Sequence, residues 1–70
     1  MSVANVVEIS ATSPQGFEDA IRQGLERANK TLRGVTSAWV KEQRVKQAPG
    51  RDGRIQEYQV NIRVTFVLEG

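Results

Sequence analysis

Two side chains in this sequence carry chemistry that packing alone does not use up. Trp39 offers a broad, polarisable ring, and Gln59 holds a donor and an acceptor on one amide. Gln59 lies within RIQEYQVNIRVTFVL, from Arg54 to Leu68, which alternates at a period of two. Tyr58, Val60, Ile62, Val64, Phe66 and Leu68 share one face of the predicted strand, and Gln59, Asn61, Arg63, Thr65 and Val67 share the other. The first face suits a core. The second is polar yet poor in full charges, a surface fit for water, a partner subunit or a flat ligand. Ser37 and Trp39 fall on one face of an earlier predicted strand and extend the same surface. Catalysis has little to draw on. The chain contains no histidine and no cysteine, which removes the commonest general base, the thiolate nucleophile and the commonest zinc ligands. No pair of carboxylates falls in register, so no enzyme is expected, and no metal ligand set can be assigned.

Seventy residues make a single domain, 1–70, with room for one small core. A chain of this size buries only about 60% of the surface its unfolded form exposes. Small domains add disulfides, metals or oligomerisation, and without cysteine or histidine the last is favoured. The net charge is +2, from ten basic and eight acidic groups whose signs interleave along the chain. Lys30, Arg33, Lys41, Arg44 and Lys46 divide between a helix end and alternating strand positions, so they form no stripe for nucleic acid. No apolar run approaches the ~20 residues of a membrane span, and MSVANVVEIS lacks a signal-peptide pattern. Neither membrane nor nucleic acid is expected as a partner, and a cytoplasmic location is the default.

The elements that position these residues follow in order. A first strand is predicted over Val3 to Ala11, with Val7, Ile9 and Ala11 on its apolar face. Thr12-Ser13-Pro14 reads as a helix start, with Ser13 as N-cap and Pro14 in the first helical position. The helix is predicted from Pro14 to Arg33, with an apolar stripe of Phe17, Ala20, Ile21, Gly24, Leu25, Ala28 and Leu32. Gly34 is the expected C-cap. A second strand, Thr36 to Gln47, points Ala38, Val40 and Glu42 one way and Ser37, Trp39, Lys41 and Gln43 the other. The loop APGRDG, Ala48 to Gly53, turns it into the third strand, and Arg51 to Arg54 reads as a solvated turn. The order is β-α-β-β. A crossover helix sets the first two strands parallel, with the third slotted antiparallel between them. The fold class is α+β, an antiparallel-dominated three-stranded sheet wrapped on one helix. Glu8 and Arg63 are expected as inter-subunit partners, as channel-lining groups or as solvated strand residues. Trp39 fits either a ligand platform or an interface anchor, and Gln59 either reads a ligand edge or bridges subunits.

Several short stretches together resemble the dodecin family. They are Thr12-Ser13-Pro14-x-Gly16 before a helix, Ala20-Ile21 with Leu25 and Ala28, and Lys30-Thr31-Leu32-Arg33. Val40-Lys41-Glu42 follows, then Tyr58-Gln59-Val60 ending in Phe66 and Leu68-Glu69. The resemblance implies a hollow homododecamer of cubic symmetry whose flavin-binding members, for riboflavin or FMN, hold flavins in pairs at subunit interfaces. It implies storage or sequestration without catalysis. A glutamine on the third strand meets the polar edge of the ring system, and that position falls on Gln59. A tryptophan on the second strand stacks on the isoalloxazine, and without a gap that position falls on Ser37. Trp39 lies two residues on, on the same strand face but about 6.6 Å away at the usual rise. An arginine that meets a phosphate in some members corresponds to Val67. The alternative is a structural or cation-binding assembly that does not hold flavin.

Overall fold

The computed structural model describes residues 3–50 and 52–68. Arg51 of the loop and Glu69 of the C-terminal motif lie outside the described residues. Four elements follow one another: β1 (Val3–Ser13), α1 (Phe17–Thr31), β2 (Val35–Gln47) and β3 (Ile55–Leu68). The sheet order is β1-β3-β2, and β3 runs antiparallel to both neighbours. This is the expected β-α-β-β topology with the third strand in the middle.

The alternation in β3 does what its pattern predicts. Val60, Ile62 and Val64 are completely buried and Phe66 nearly so, while the residues between them stay half-buried on the other side. Full burial of each such side chain stabilises the fold by roughly 1.5–3 kcal/mol. Ile9, Ala11 and Val40 complete this layer from the flanking strands, and Ala20 and Ala28 close it from α1. Phe17 meets Tyr58 edge-on, with ring centroids 5.0 Å apart. Gly24 sits where a Cβ would lie 3.2 Å from the Ala11 Cβ, so its missing side chain lets the helix approach β1 closely. Leu68, expected in the core, is 48% exposed because it lies beyond the helix, and Ala38 is exposed because α1 reaches β2 only lightly.

Both helix ends differ from expectation. β1 continues to Ser13, which pairs with Tyr58, so the chain is still extended where a cap was predicted. Pro14 and Gln15 form a bend, and Gly16 becomes the N-cap without a side-chain cap. Ser13 keeps a related task from the end of the strand. Its hydroxyl accepts from the Gln15 amide at 3.0 Å and donates to Asp19 Oδ2. Together with Gln23 and Arg22, that bond holds the Asp19 carboxyl below its ordinary pKa. At the other end the C-cap is Leu32, whose amide bonds to the Ala28 carbonyl, and Gly34 lies two residues further on.

A second departure lies in β2. Its pairing with β3 shifts between Val35 and Ser37, between Val40 and Glu42, and between Lys46 and Gln47. The shift at Lys41 inserts one residue and reverses the faces beyond it. Glu42 therefore pairs with Asn61 on the outer face, and Gln43 faces the helix side opposite Val60. Strict alternation along β2 predicts the reverse for both.

Gly34 has φ +73°, and a Cβ there would lie 2.9 Å from the Val67 carbonyl oxygen. Replacing Gly34 by Ala is expected to destabilise the fold by about 1–3 kcal/mol, the usual cost of a strained left-handed residue. Chemical denaturation at one fixed protein concentration measures it. An unchanged midpoint would contradict this tight approach of the β2 entry to β3.

Candidate ligand face of the sheet

With α1 on one side, the sheet presents an uncovered outer face, and strand register arranges its side chains in rows. Val6, Thr65 and Ser37 form the first row, and Glu8, Arg63 and Trp39 the second. Ser10, Asn61 and Glu42 form the third, and Thr12, Gln59 and Arg44 the fourth. The structure thus places Ser37, Trp39 and Gln59 on one surface, as the alternation predicts. It does not bring them together. Trp39 lies opposite Arg63, four residues from Gln59 along β3, which is about 13 Å at the usual rise. Ser37 lies opposite Thr65, about 20 Å from Gln59 by the same measure.

Two hydrogen-bonded groups occupy the face. In the first, Gln59 Nε2 donates to Ser10 Oγ at 3.0 Å and to Asn61 Oδ1 at 3.4 Å. Asn61 Nδ2 in turn donates to Glu42 Oε1 at 3.0 Å. The Gln59 side-chain carbonyl oxygen accepts no hydrogen bond among the described residues. In the second, Lys41 Nζ and Arg63 Nε each approach Glu8 Oε1 to 3.3 Å. The Arg63 guanidinium carbon lies 5.6 Å from the centroid of the Trp39 ring. Glu8 thus binds two cations within its own chain, and one of them covers the indole. Trp39 is nevertheless 64% exposed. Hydrogen bonds from Lys41 and then Arg63, with their charges, hold the Glu8 carboxyl below its ordinary pKa.

Three contacts here escape the sequence pattern: Asn61 with Glu42, Lys41 with Glu8, and Arg63 with Trp39. Each depends on register across strands, and the first also on the bulge. The one local sign is the Lys41-Glu42 pair, two consecutive charges that interrupt the apolar alternation. The turn at Asp52 is solvated as expected, its side chain accepting from the Arg54 amide at 3.2 Å. Among the described residues no three His, Cys, Asp or Glu side chains cluster closely enough to hold a metal ion. Among the same residues no helix is long and apolar enough to cross a membrane.

The fold and this face define a class: small α+β protomers in which a sheet packs one side on a single helix and leaves the other uncovered. The dodecin family profile matches residues 3–69. A dodecin of Thermus thermophilus is 41% identical over 63 residues, 90% of this chain and 87% of that protein. The crystal structure of a tryptophan-to-phenylalanine variant of T. thermophilus dodecin superposes with a TM-score of 0.88 at 43% identity, covering 100% of both chains. The dodecin of Streptomyces davaonensis gives 0.87 at 36% identity, over 99% of this chain and 97% of that one. The chain belongs to the dodecin family.

The low pKa of Glu8 sets a direction for acid. A carboxyl depressed in the folded state stabilises that state above its ordinary range, and the contribution is lost as pH falls through the depressed value. Protonation of Glu8 is expected to weaken the ion pair that ties Arg63 beside Trp39. Because Trp39 is the single tryptophan, its fluorescence emission is expected to change below the ordinary glutamate range. Glu8→Gln is expected to remove that step. A step that persists unchanged in the variant would place its origin elsewhere.

Proposed function

We propose that this chain assembles into a homododecamer that stores or sequesters flavin, riboflavin or FMN, between subunits without transforming it. The observation that carries this reading is Gln59, placed on the uncovered sheet face of a dodecin-family fold with its side-chain carbonyl oxygen turned to no partner among the described residues. A flavin ring edge offers an N–H donor and carbonyl acceptors, and a glutamine amide can answer both kinds of group. Trp39 supplies an aromatic face on the same surface, and Ser37 occupies the position to which the family resemblance assigns stacking. The rows argue for a shared site. At about 13 Å along the strand, Gln59 and Trp39 of one chain are too far apart to grip one ring system edge-on and face-on together. Gln59 of one subunit with Trp39 of another meets that need. On this reading Gln59 and Trp39 would hold the group from two subunits, and a bound flavin would supply its own light absorption and redox chemistry.

Self-assembly also suits the apolar surface that α1 leaves bare. A helix of 15 residues spans about 22 Å, whereas the 14 residues of β3 span about 46 Å. Val45 and Ile55 on the uncovered end of the hairpin are exposed, as are Val3 and Leu68 at the other end of the sheet. Partner chains are the natural cover for these positions. The proposal includes a cytoplasmic location and no nucleic-acid or membrane partner.

A second reading rests on Ser37 and Val67. With a small hydroxyl where the resemblance expects an indole, and an apolar group where it expects an arginine, the assembly is structural or cation-binding and takes no flavin. Two measurements separate the readings. Sedimentation is expected to give a mass near twelve times the 7.8 kDa chain, and a monomer would overturn both. Addition of riboflavin or FMN at micromolar protein is expected to quench flavin fluorescence. If the unmodified protein quenches nothing and Ser37→Trp creates binding, the second reading stands and the first falls.

A further inference from the structure

The outer face contains a feature that flavin binding as such does not require. Trp39 stands in a row with Arg63 and Glu8, its cross-strand neighbours on β3 and β1. The guanidinium lies over the indole at 5.6 Å, and its Nε is tied to Glu8 at 3.3 Å. Lys41 reaches the same carboxylate oxygen from β2, also at 3.3 Å, so Glu8 draws both cations to one point between the strands. A cation over an indole is attracted by the ring's negative face. Arg63 therefore restrains the indole and occupies one of its two faces, while Trp39 as a whole remains 64% exposed.

Resting on the flavin-storage reading, we infer that the planar ligand stacks on the one face of Trp39 that Arg63 leaves open. Arg63, held by Glu8, is a positioning residue for that platform. The stack is thereby set at the row of Trp39, one step along the strand from the row of Ser37, and each indole accepts a single ring. Ser37, Thr65 and Val6 form the adjoining row of short side chains. A compensation is built into the position. Trp39 stands two residues along β2 from the position to which the family resemblance assigns stacking, and the residue that braces it stands directly opposite on β3.

Riboflavin titration of the assembled protein, followed by flavin fluorescence with mass checked by sedimentation, tests the inference. Trp39→Leu is expected to weaken riboflavin binding at least about tenfold, the loss of a stacked aromatic contact. Arg63→Ala is expected to weaken it about two- to fivefold, the range of an exposed cation–π contact. It should also lower the fluorescence anisotropy of Trp39 in the ligand-free protein. Arg63→Lys, which keeps a cation near the ring, should recover part of both. In the Trp39→Leu background the Arg63→Ala change should have almost no further effect, because its role runs through the indole. Equal effects of Arg63→Ala in both backgrounds would overturn the positioning role. Undiminished binding by Trp39→Leu would overturn the inference while leaving flavin storage intact. Failure of the unmodified protein to bind riboflavin would overturn both together.

Discussion

The register of β3 between β1 and β2 is the constraint on which the other features depend. Ile62 pairs with Ile9 on one side and Val40 on the other, and these three form the middle of the core. One residue on, Arg63 pairs with Glu8 and Trp39 on the opposite face. The core row and the polar row are therefore the same alignment seen from two sides. A slip of one residue would expose the isoleucines and bury the charges, which the burial of Val60, Ile62 and Val64 makes very unfavourable. The outer face needs no separate device to hold its rows in place. It inherits its order from the packing beneath it.

The helix is matched to only part of that sheet. Its small residues, Ala20, Gly24 and Ala28, bring it close over β1 and β3. The far end of the β2–β3 hairpin extends past it, and the chain reaches 55 Å in its longest dimension. An elongated chain of this length has little interior. Its exposed valines, isoleucine and leucine lie on the parts of the sheet that the helix does not reach.

Much of this is legible from residue types alone. The period of β3 locates the core and the uncovered face, and a crossover helix with three strands leaves few topologies to choose from. Gln59, Trp39 and Ser37 fall on the expected surface because each lies on the near side of the bulge or on the regular central strand. The departures share one physical cause. Thr12-Ser13-Pro14 has the local chemistry of a helix start, yet pairing of Ser13 with Tyr58, 45 positions away, keeps the backbone extended. Glu42 and Gln43 change faces because a bulge at Lys41 shifts the phase, and only the partner strand defines that shift. The brace between Arg63 and Trp39 is hidden for the same reason. Local patterns report what a residue prefers, while register decides whom it meets.

The irregularities in β2 also make the two rims of the sheet unequal. β1 pairs with β3 in unbroken register from Val3 to Ser13, so its other side offers a continuous ladder of backbone donors and acceptors. β2 is regular only from Ser37 to Val40 and again from Glu42 to Lys46. Bulges twist and interrupt a strand, and charges such as Lys41, Arg44 and Lys46 discourage a foreign strand from docking there. A sheet with both rims straight would invite growth in two directions, the geometry of a fibre. With the β2 rim broken, only the β1 rim keeps a regular ladder, so this sheet lacks the pair of straight rims that such growth needs.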